Sequence, residues 1–376
     1  MPIFIAITGA LLLLYSLLIL YYHWIWDRIP PSKNGDPVPG VTVSVIIPAR
    51  NEELHIGLCL QTILRQTYPS SLTEIIVVND FSTDRTASIV EQYSGRVKLL
   101  DLKDFVSGDD LNAYKKKAIE TGIAQSSGEL IACTDADCIA RPEWLETLVS
   151  AYTGWHCQIL AAPVKIETTG SALSVFQALD FISLQGITGA AVYKDLYPMC
   201  NGANLAYPRR AFTEVGGFSG IDHIASGDDM LLMGKIQSRF PGRAAFLKDP
   251  KAIVSTRPAA DLRSFLRQRI RWASKVSHYG HPFIFLTLAL VYALNACLLL
   301  LFLLSFYYPR WHWLVFYLVL KCFAEFFFVS RVAGFFEQRP LMKYFIFCQP
   351  FHILYTVIAG AFGAFGKYHW KDRRVK

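Results

Sequence analysis

Two aspartates one residue apart close the run ELIACTDADC at Glu129–Cys138. The apolar part reads as a strand that carries both carboxylates to its C-terminal end. Inside a strand the two side chains would point to opposite faces. Just beyond the strand end, Asp135 and Asp137 can converge on one hard divalent cation and on the phosphates it carries. Acidic loop tips are common, so the pair gains meaning only from its surroundings.

Those surroundings alternate apolar runs with amphipathic ones. Val41–Ile47, Glu74–Val78, Val97–Leu100 and Leu130–Cys133 read as strands, and Glu52–Arg65, Asp84–Tyr93 and Ala113–Gln125 as the helices between them. Such spacing predicts a parallel sheet with right-handed crossovers, and ligands of open sheets bind beyond the carboxyl ends of the strands. Three polar clusters fall at those ends: Pro48-Ala49-Arg50-Asn51-Glu52, Asn79–Asp84 and Asp135-Ala136-Asp137. Each could cap a helix, and Thr83 or Asp84 suits that role. Three in succession ask for more than capping.

The chain has 376 residues, 53% of them hydrophobic, and the apolar excess is concentrated. Ile3–Trp26 lacks charged side chains and ends in aromatic residues, as a membrane-crossing helix of about 20 residues would. The basic n-region and small-residue cleavage site of a signal peptide are missing. His281–Tyr307, Trp311–Val329 and Tyr344–Phe365 read as further spans. Pro350 and the Gly360, Gly363, Gly366 series allow a kink or close helix packing in the last. Glu325 is costly in lipid and is expected to face protein, water or a polar head group. Between the first span and the rest, about 250 residues suffice for one well-buried domain. The expected organisation is therefore a transmembrane helix over 1–28, an α/β domain over 29–260, an amphipathic interfacial helix over 261–280, and a membrane region with a basic tail over 281–376. Pro30–Gly40 reads as a linker. Arg28 and Lys33 follow the first span, and Arg331, Arg339 and Lys343 fall on the same side, which places the large domain in the cytoplasm. The tail KYHWKDRRVK disagrees: four full spans would put it outside, unless the last segment is re-entrant or interfacial.

The eight cysteines show neither C-x-x-C nor zinc spacing, and Cys133 and Cys138 read as reduced core residues. The net charge of +7 suits an anionic leaflet or substrate.

In order along the chain, VSVIIPARNEE, IIVVNDFSTDRT, TDADC, NGANLAYPRRAFTEVGGF, SGDDMLL and QRIRW resemble the membrane-bound glycosyltransferase family 2, in the style of cellulose- and chitin-synthase-like and ceramide-glucosyltransferase-like members. The resemblance covers Val41 to Trp272. It implies a GT-A (Rossmann-like) fold with a mixed sheet and flanking helices, a nucleotide-sugar donor, a divalent metal (Mn²⁺ or Mg²⁺), and inversion at the anomeric carbon. By the resemblance Asp137 coordinates the metal and Asp135 contacts the ribose or the metal shell. Asp80 holds the uracil edge, while Pro48, Arg50 and Glu52 line the nucleoside pocket. Lys116 and Lys117 match a position near the nucleotide, and read equally well as a solvated helix face.

Inversion in one displacement needs a base for the acceptor hydroxyl. Asp229 matches the family's base, with Asp228 where a glutamate is usual; the bland reading is an acidic first helical turn. Asn201, Gly202 and Asn204 border donor sugar and acceptor by the resemblance, or else form a turn. Leu262, Phe265, Leu266, Ile270, Ala273 and Val276 make one face of an amphipathic helix, and Arg263, Arg267 and Arg271 another. On it Gln268, Arg271 and Trp272 match Q-x-x-R-W, with arginine suited to the diphosphate and tryptophan to the acceptor. Relatives often carry an acidic residue near Ser255–Pro258, and this chain has none.

The expected protein is thus an inverting, metal-dependent glycosyltransferase of the bacterial inner membrane, acting on a lipid or glycan acceptor and not on nucleic acid. A lipid and a single transfer are favoured, because few C-terminal segments are available for a polymer channel. A processive polysaccharide synthase is the alternative, and an inactive scaffold subunit the reading from another class.

Overall fold

The computed structural model describes residues 1–32, 40–106, 113–365, 368–370 and 373–375. Most of the linker at Pro30–Gly40, with Lys33, lies outside the described residues, as do Gly366 and parts of the basic tail. Helix α1 (Pro2–Arg28) comes first, then β1 (Val43–Ala49), α2 (Ile56–Ile63), β2 (Thr73–Asn79), α3 (Thr86–Glu91) and β3 (Lys98–Asp101). Next come α4 (Tyr114–Ala124), β4 (Leu130–Cys133), β5 (Ile139–Ala140), α5 (Trp144–Trp155), β6 (Ile159–Ala161) and β7 (Val164–Ile166). The middle of the chain holds α6 (Ala172–Tyr193), β8 (Leu205–Pro208), α7 (Arg209–Glu214), α8 (Met230–Arg239), β9 (Ala244–Phe246) and β10 (Val254–Thr256). Last are α9 (Leu262–Ala273), α10 (Pro282–Leu304), α11 (Trp311–Phe335), α12 (Phe345–Phe365), and two short paired strands, β11 (Tyr368–Trp370) and β12 (Arg373–Val375).

These elements form two compact units. One comprises Pro30–Glu167, Ala191–Arg257 and the last two residues. Its main sheet has the order β3-β2-β1-β4-β8-β6-β9. Strands β3, β2, β1 and β4 run parallel, and β8 is antiparallel to both β4 and β6. The mixed sheet implied by the family resemblance is therefore present, and the parallel arrangement predicted from the spacing holds for β3, β2, β1 and β4. Val43, Val45, Ile46, Ile47 and Ala49 of β1 are all buried, as in a strand covered on both faces. The chain leaves β1 for β2 on one side and returns as β4 on the other, so the reversal in strand order lies at β1, where such sheets open a crevice. A smaller sheet, β5-β10-β7, completes this unit.

Helix α4 lies unusually close to the sheet because Gly122 faces it. A Cβ at Gly122 would stand 2.8 Å from Ile46 Cγ2 and 3.2 Å from Val78 Cγ2. Lys115, Ala118 and Gly122 follow one another at i, i+3 and i+7, the sheet-facing stripe of the helix.

The other unit comprises Met1–Ile29, Thr168–Ala190 and Pro258–Arg374. The sequence placed 168–190 inside a single α/β domain, whereas here most of α6 groups with the apolar helices. Among the described residues five helical segments are long and apolar enough to cross a membrane: α1, α6, α10, α11 and the segment Arg339–Gly363 containing α12. Four were expected; α6 is the addition, and it is mostly buried. The amphipathic segment is shorter than 261–280, for α9 ends at Ala273 and Leu262 is exposed.

Glu325 faces protein. Lys321 Nζ lies 2.6 Å from it, Gln349 Nε2 donates to it at 2.7 Å and Tyr15 Oη at 2.5 Å. This joins α1, α11 and α12 through groups that would be costly one by one in an apolar setting. Arg331 meets Asp27 at 2.7 Å, so the two basic positions Arg28 and Arg331 share one end of the helical unit. Close packing in α12 is also realised. A Cβ at Gly360 would collide with the Tyr292 ring at 2.5 Å, and one at Gly363 with Ala273 Cβ at 2.6 Å.

Gly122→Val is expected to lower stability by about 1–3 kcal/mol through overpacking against Ile46. Gly154→Ala in α5, where no atom lies within 4 Å of the added carbon, should be neutral or stabilising. Thermal unfolding in detergent distinguishes the two, and equal shifts would overturn the close-approach account.

Candidate active site

The ends of β1, β2 and β4 carry the three polar clusters, and hydrogen bonds stitch the first two together. Arg50 Nη1 donates to the carbonyls of Asp80 and Phe81, both at 2.9 Å. Asn51 Oδ1 accepts from Thr83 N at 2.8 Å, and Asp84 Oδ2 from Glu53 N at 3.0 Å. Asn51 and Phe81 both adopt left-handed backbone, with φ of 50° and 49°, a strain that non-glycine residues hold only where surroundings impose it. Asp80 is buried. Pro48 is the one half-buried residue of the otherwise buried β1, and Glu52 pairs with His55 at 3.0 Å. Asp84 also accepts from Thr86 N at 2.9 Å, although the cap position of α3 is Arg85, which makes no side-chain cap hydrogen bond.

The acidic cluster forms at the end of β4. Lys115 Nζ lies 2.7 Å from Asp135 and 3.4 Å from Asp228. Asp229 caps α8, its Oδ1 accepting from Met230 N at 2.7 Å while Oδ2 accepts from Gly202 N at 3.0 Å. At Gly202 a Cβ would stand 3.2 Å from Asp228 Oδ2, a tight contact, and 3.6 Å from Asp229 Cβ. Asp137 Oδ2 accepts from Thr256 Oγ1 at 3.1 Å. Thus Asp135, Asp228, Asp229 and Gly202 come together around one lysine.

Burial raises the Asp229 carboxyl above its usual range, and neighbouring Asp228 raises it further, against the pull of Lys115 and the two amide donors. Burial alone would lower the Lys115 ammonium, but Asp135 and Asp228 hold it above its usual range. Burial also pushes the Cys133 thiol up to about 12, in keeping with an inert core residue.

Three of the named residues make contacts away from the carboxylates. Lys117 pairs with Glu120 at 2.8 Å, because one step along a helix turns a side chain by about 100°. Lys116 is buried and donates to the carbonyls of Ile221 and Ile224 at 2.6 and 2.7 Å. The lysine at the carboxylates is Lys115, and its place at the head of the Ala118, Gly122 stripe was the available signal. Asn204 is fully buried. Its amide donates to the carbonyls of Pro163 and Ala252 and accepts from Trp144 Nε1, all at 2.8 Å. With its capacity spent in the core, its side chain braces the turn instead of facing a ligand. Asn201 Oδ1 accepts from Ala203 N at 2.9 Å, closing that turn. Gln268, Arg271 and Trp272 lie on α9 in the other unit.

The segment from Gly216 to Asp229 hangs on lysines. It contains Gly216, Gly217, Gly220 and Gly227 at positive φ. Lys116 holds it from α4, and Lys235 Nζ donates to the carbonyls of Gly217 and Ser219 at 2.6 and 2.7 Å.

Asp135 and Asp137 offer hard, partly exposed oxygens, and among the described residues no three His, Cys, Asp or Glu side chains converge as a metal cage. That donor set fits Mg²⁺ or Mn²⁺ held by one or two carboxylates together with phosphate oxygens and water.

The sheet, its switch point and the carboxylates beyond it define a GT-A-type α/β domain. The fold matches that of the mannosyltransferase PcManGT from Pyrobaculum calidifontis, solved with GDP-Man and Mn²⁺, with a TM-score of 0.62 at 20% identity, covering 96% of this chain and 99% of that one. Residues 44–216 match the family model described as Glycosyl transferase family 2, and the chain carries a domain of that family. Among curated relatives, Glycosyltransferase AglE of Haloferax volcanii is 31% identical over 191 residues, 50% of this chain and 59% of that protein. Beta-monoglucosyldiacylglycerol synthase of Synechocystis sp. is 27% identical over 165 residues, 37% of this chain and 34% of that protein. The chain therefore spans less than two thirds of either relative.

Asp228→Asn should move the Asp229 titration to lower pH by removing the like charge, and Lys115→Met should move it to higher pH by removing the cation. Carboxyl ¹³C NMR on aspartate-labelled protein reads both, and the opposite order would overturn this electrostatic assignment.

Proposed function

We propose that the protein transfers a sugar from a nucleotide-sugar to a membrane lipid, inverting the anomeric carbon in a single displacement. The observation that carries this reading is the Asp229 carboxylate, fixed by two backbone amides beside the Lys115-bridged aspartates at the sheet's switch point. A base must be ionised and held still to take a hydroxyl proton. Asp229 is half-buried, and its raised pKa makes it a stronger proton acceptor than a solvated aspartate. Beyond burial, Asp228 raises that pKa directly as a like charge, and Lys115 opposes the rise.

Asp80, Pro48, Arg50 and Glu52 line the nucleoside end, with Arg50 acting through the carbonyls of Asp80 and Phe81. A divalent ion, when bound, neutralises the charge that develops on the departing diphosphate; Asp137 would hold it, with Asp135 beside it. Thr256 orients Asp137. Gln268, Arg271 and Trp272 of α9 serve the diphosphate and the acceptor. A lipid acceptor is supported by the five long apolar helices and by the name of the Synechocystis relative, a diacylglycerol glycoside synthase. The α/β unit faces the cytoplasm of a bacterial inner membrane, a reading supported by the basic residues Arg28, Arg331, Arg339 and Lys343 that flank the apolar segments in the sequence.

The test is nucleotide release by the purified protein in detergent with lipid extract, over a panel of UDP- and GDP-sugars with Mn²⁺, Mg²⁺ or EDTA. A metal-dependent, solvent-extractable product is expected. A long insoluble product would replace this reading by a polysaccharide synthase, and no release at all would favour a scaffold. Asp229→Asn should cut transfer by about 10²–10⁴-fold while nucleotide binding stays near the wild-type level; unchanged turnover would remove Asp229 from its role.

A further inference from the structure

Asp180 lies mid-way along α6 with its side chain 3% exposed. A lone carboxylate is strongly disfavoured in such a place, and Asp180 is not alone. Its Oδ2 accepts from Arg269 Nη2 at 2.7 Å and its Oδ1 from Tyr355 Oη at 2.5 Å, with His352 Nε2 3.9 Å away. Arg269 is itself 4% exposed. Its guanidinium carbon stands 4.2 Å from the Trp272 ring centroid and 4.8 Å from that of Phe265. Its Nη1 donates to Gln268 Oε1 at 3.2 Å. Phe181, next to Asp180, brings its ring centroid to 6.4 Å from that of Trp272.

One guanidinium, anchored by Asp180, therefore touches both Gln268 and Trp272. Arg269 is not among the residues that Q-x-x-R-W singles out. Phe265, Arg269 and Trp272 are spaced i, i+4 and i+7, so they share a face of α9. Apolar packing already joins α6, α9 and α12 through Phe176, Phe265, Phe351 and Tyr355. A buried ion pair adds little stability over apolar residues of the same size, and its better-attested use is to select one arrangement.

We propose that Asp180 and Arg269 are positioning residues for acceptor recognition: the pair sets the orientations of Gln268 and Trp272. This rests on the reading above, in which Trp272 meets the acceptor. Asp180→Asn leaves the guanidinium without a counter-ion and can fail to fold, so the second variant is Asp180→Asn with Arg269→Met, which removes both charges.

With 5-fluorotryptophan incorporated, Trp272→Phe identifies the ¹⁹F resonance of Trp272. The double variant is expected to shift that resonance while the other tryptophan signals hold, and to raise the acceptor KM by about 10–100-fold with the donor KM unchanged. Arg269→Lys, which keeps the charge without the planar stack, should show the same KM split. A folded double variant with the wild-type resonance overturns the proposal, and so does a shifted resonance with an unchanged acceptor KM. Absence of transfer by the wild-type protein would instead overturn the functional reading, and the ¹⁹F shift would still decide whether the pair orients Trp272.

Discussion

Carboxylates cannot gather without a compensating charge, and the α/β unit is arranged around that constraint. Two like charges about 4 Å apart repel by about 4 kcal/mol at an effective dielectric near 20. Lys115 answers this by standing between Asp135 and Asp228. Its reach depends on α4 lying close to the sheet, which depends in turn on the missing side chain at Gly122. The cluster also needs the turn at Gly202 to meet the cap of α8, where Gly202 N donates to Asp229.

The helical unit solves a related problem with less water at hand. Lys321, Glu325, Gln349 and Tyr15 satisfy one another, as do Asp180, Arg269 and Tyr355. In both sets every charged member has an opposite charge within hydrogen-bonding reach. Each set draws on three helices, so neither closes until those helices have met. Polar groups of this kind define which helices pair, where apolar faces alone would accept several partners.

The sequence made β1, β2 and β4 legible because β-branched runs fill strands buried on both faces, and the polar residues at their ends then had to share an edge. Helix α6 was not legible. Ser174, Gln177, Asp180, Gln185 and Thr188 interrupt its apolar character, yet all are buried, so the contrast between wet and dry faces that marks a helix was lost. Strands β5, β6, β7, β9 and β10 have only two or three residues each, too few to show a period. At the candidate site Asp135 and Asp137 stood out by their spacing, whereas Asp80, Asp228 and Asp229 were named through the family resemblance. The choice among Lys115, Lys116 and Lys117 rested on a weaker signal, the small-residue stripe of Ala118 and Gly122, because helical packing decides what each lysine meets. Asn204 stayed open between a ligand-bordering group and a turn residue until its partners in the core were known.

The lysines that hold the Gly216–Asp229 segment grip main-chain oxygens at Gly217, Ser219, Ile221 and Ile224. Every amino acid carries such an oxygen, so this anchoring is blind to side-chain identity. The exception is Asp222, whose charge favours the Lys235 ammonium, so tolerance to substitution along the segment should end there.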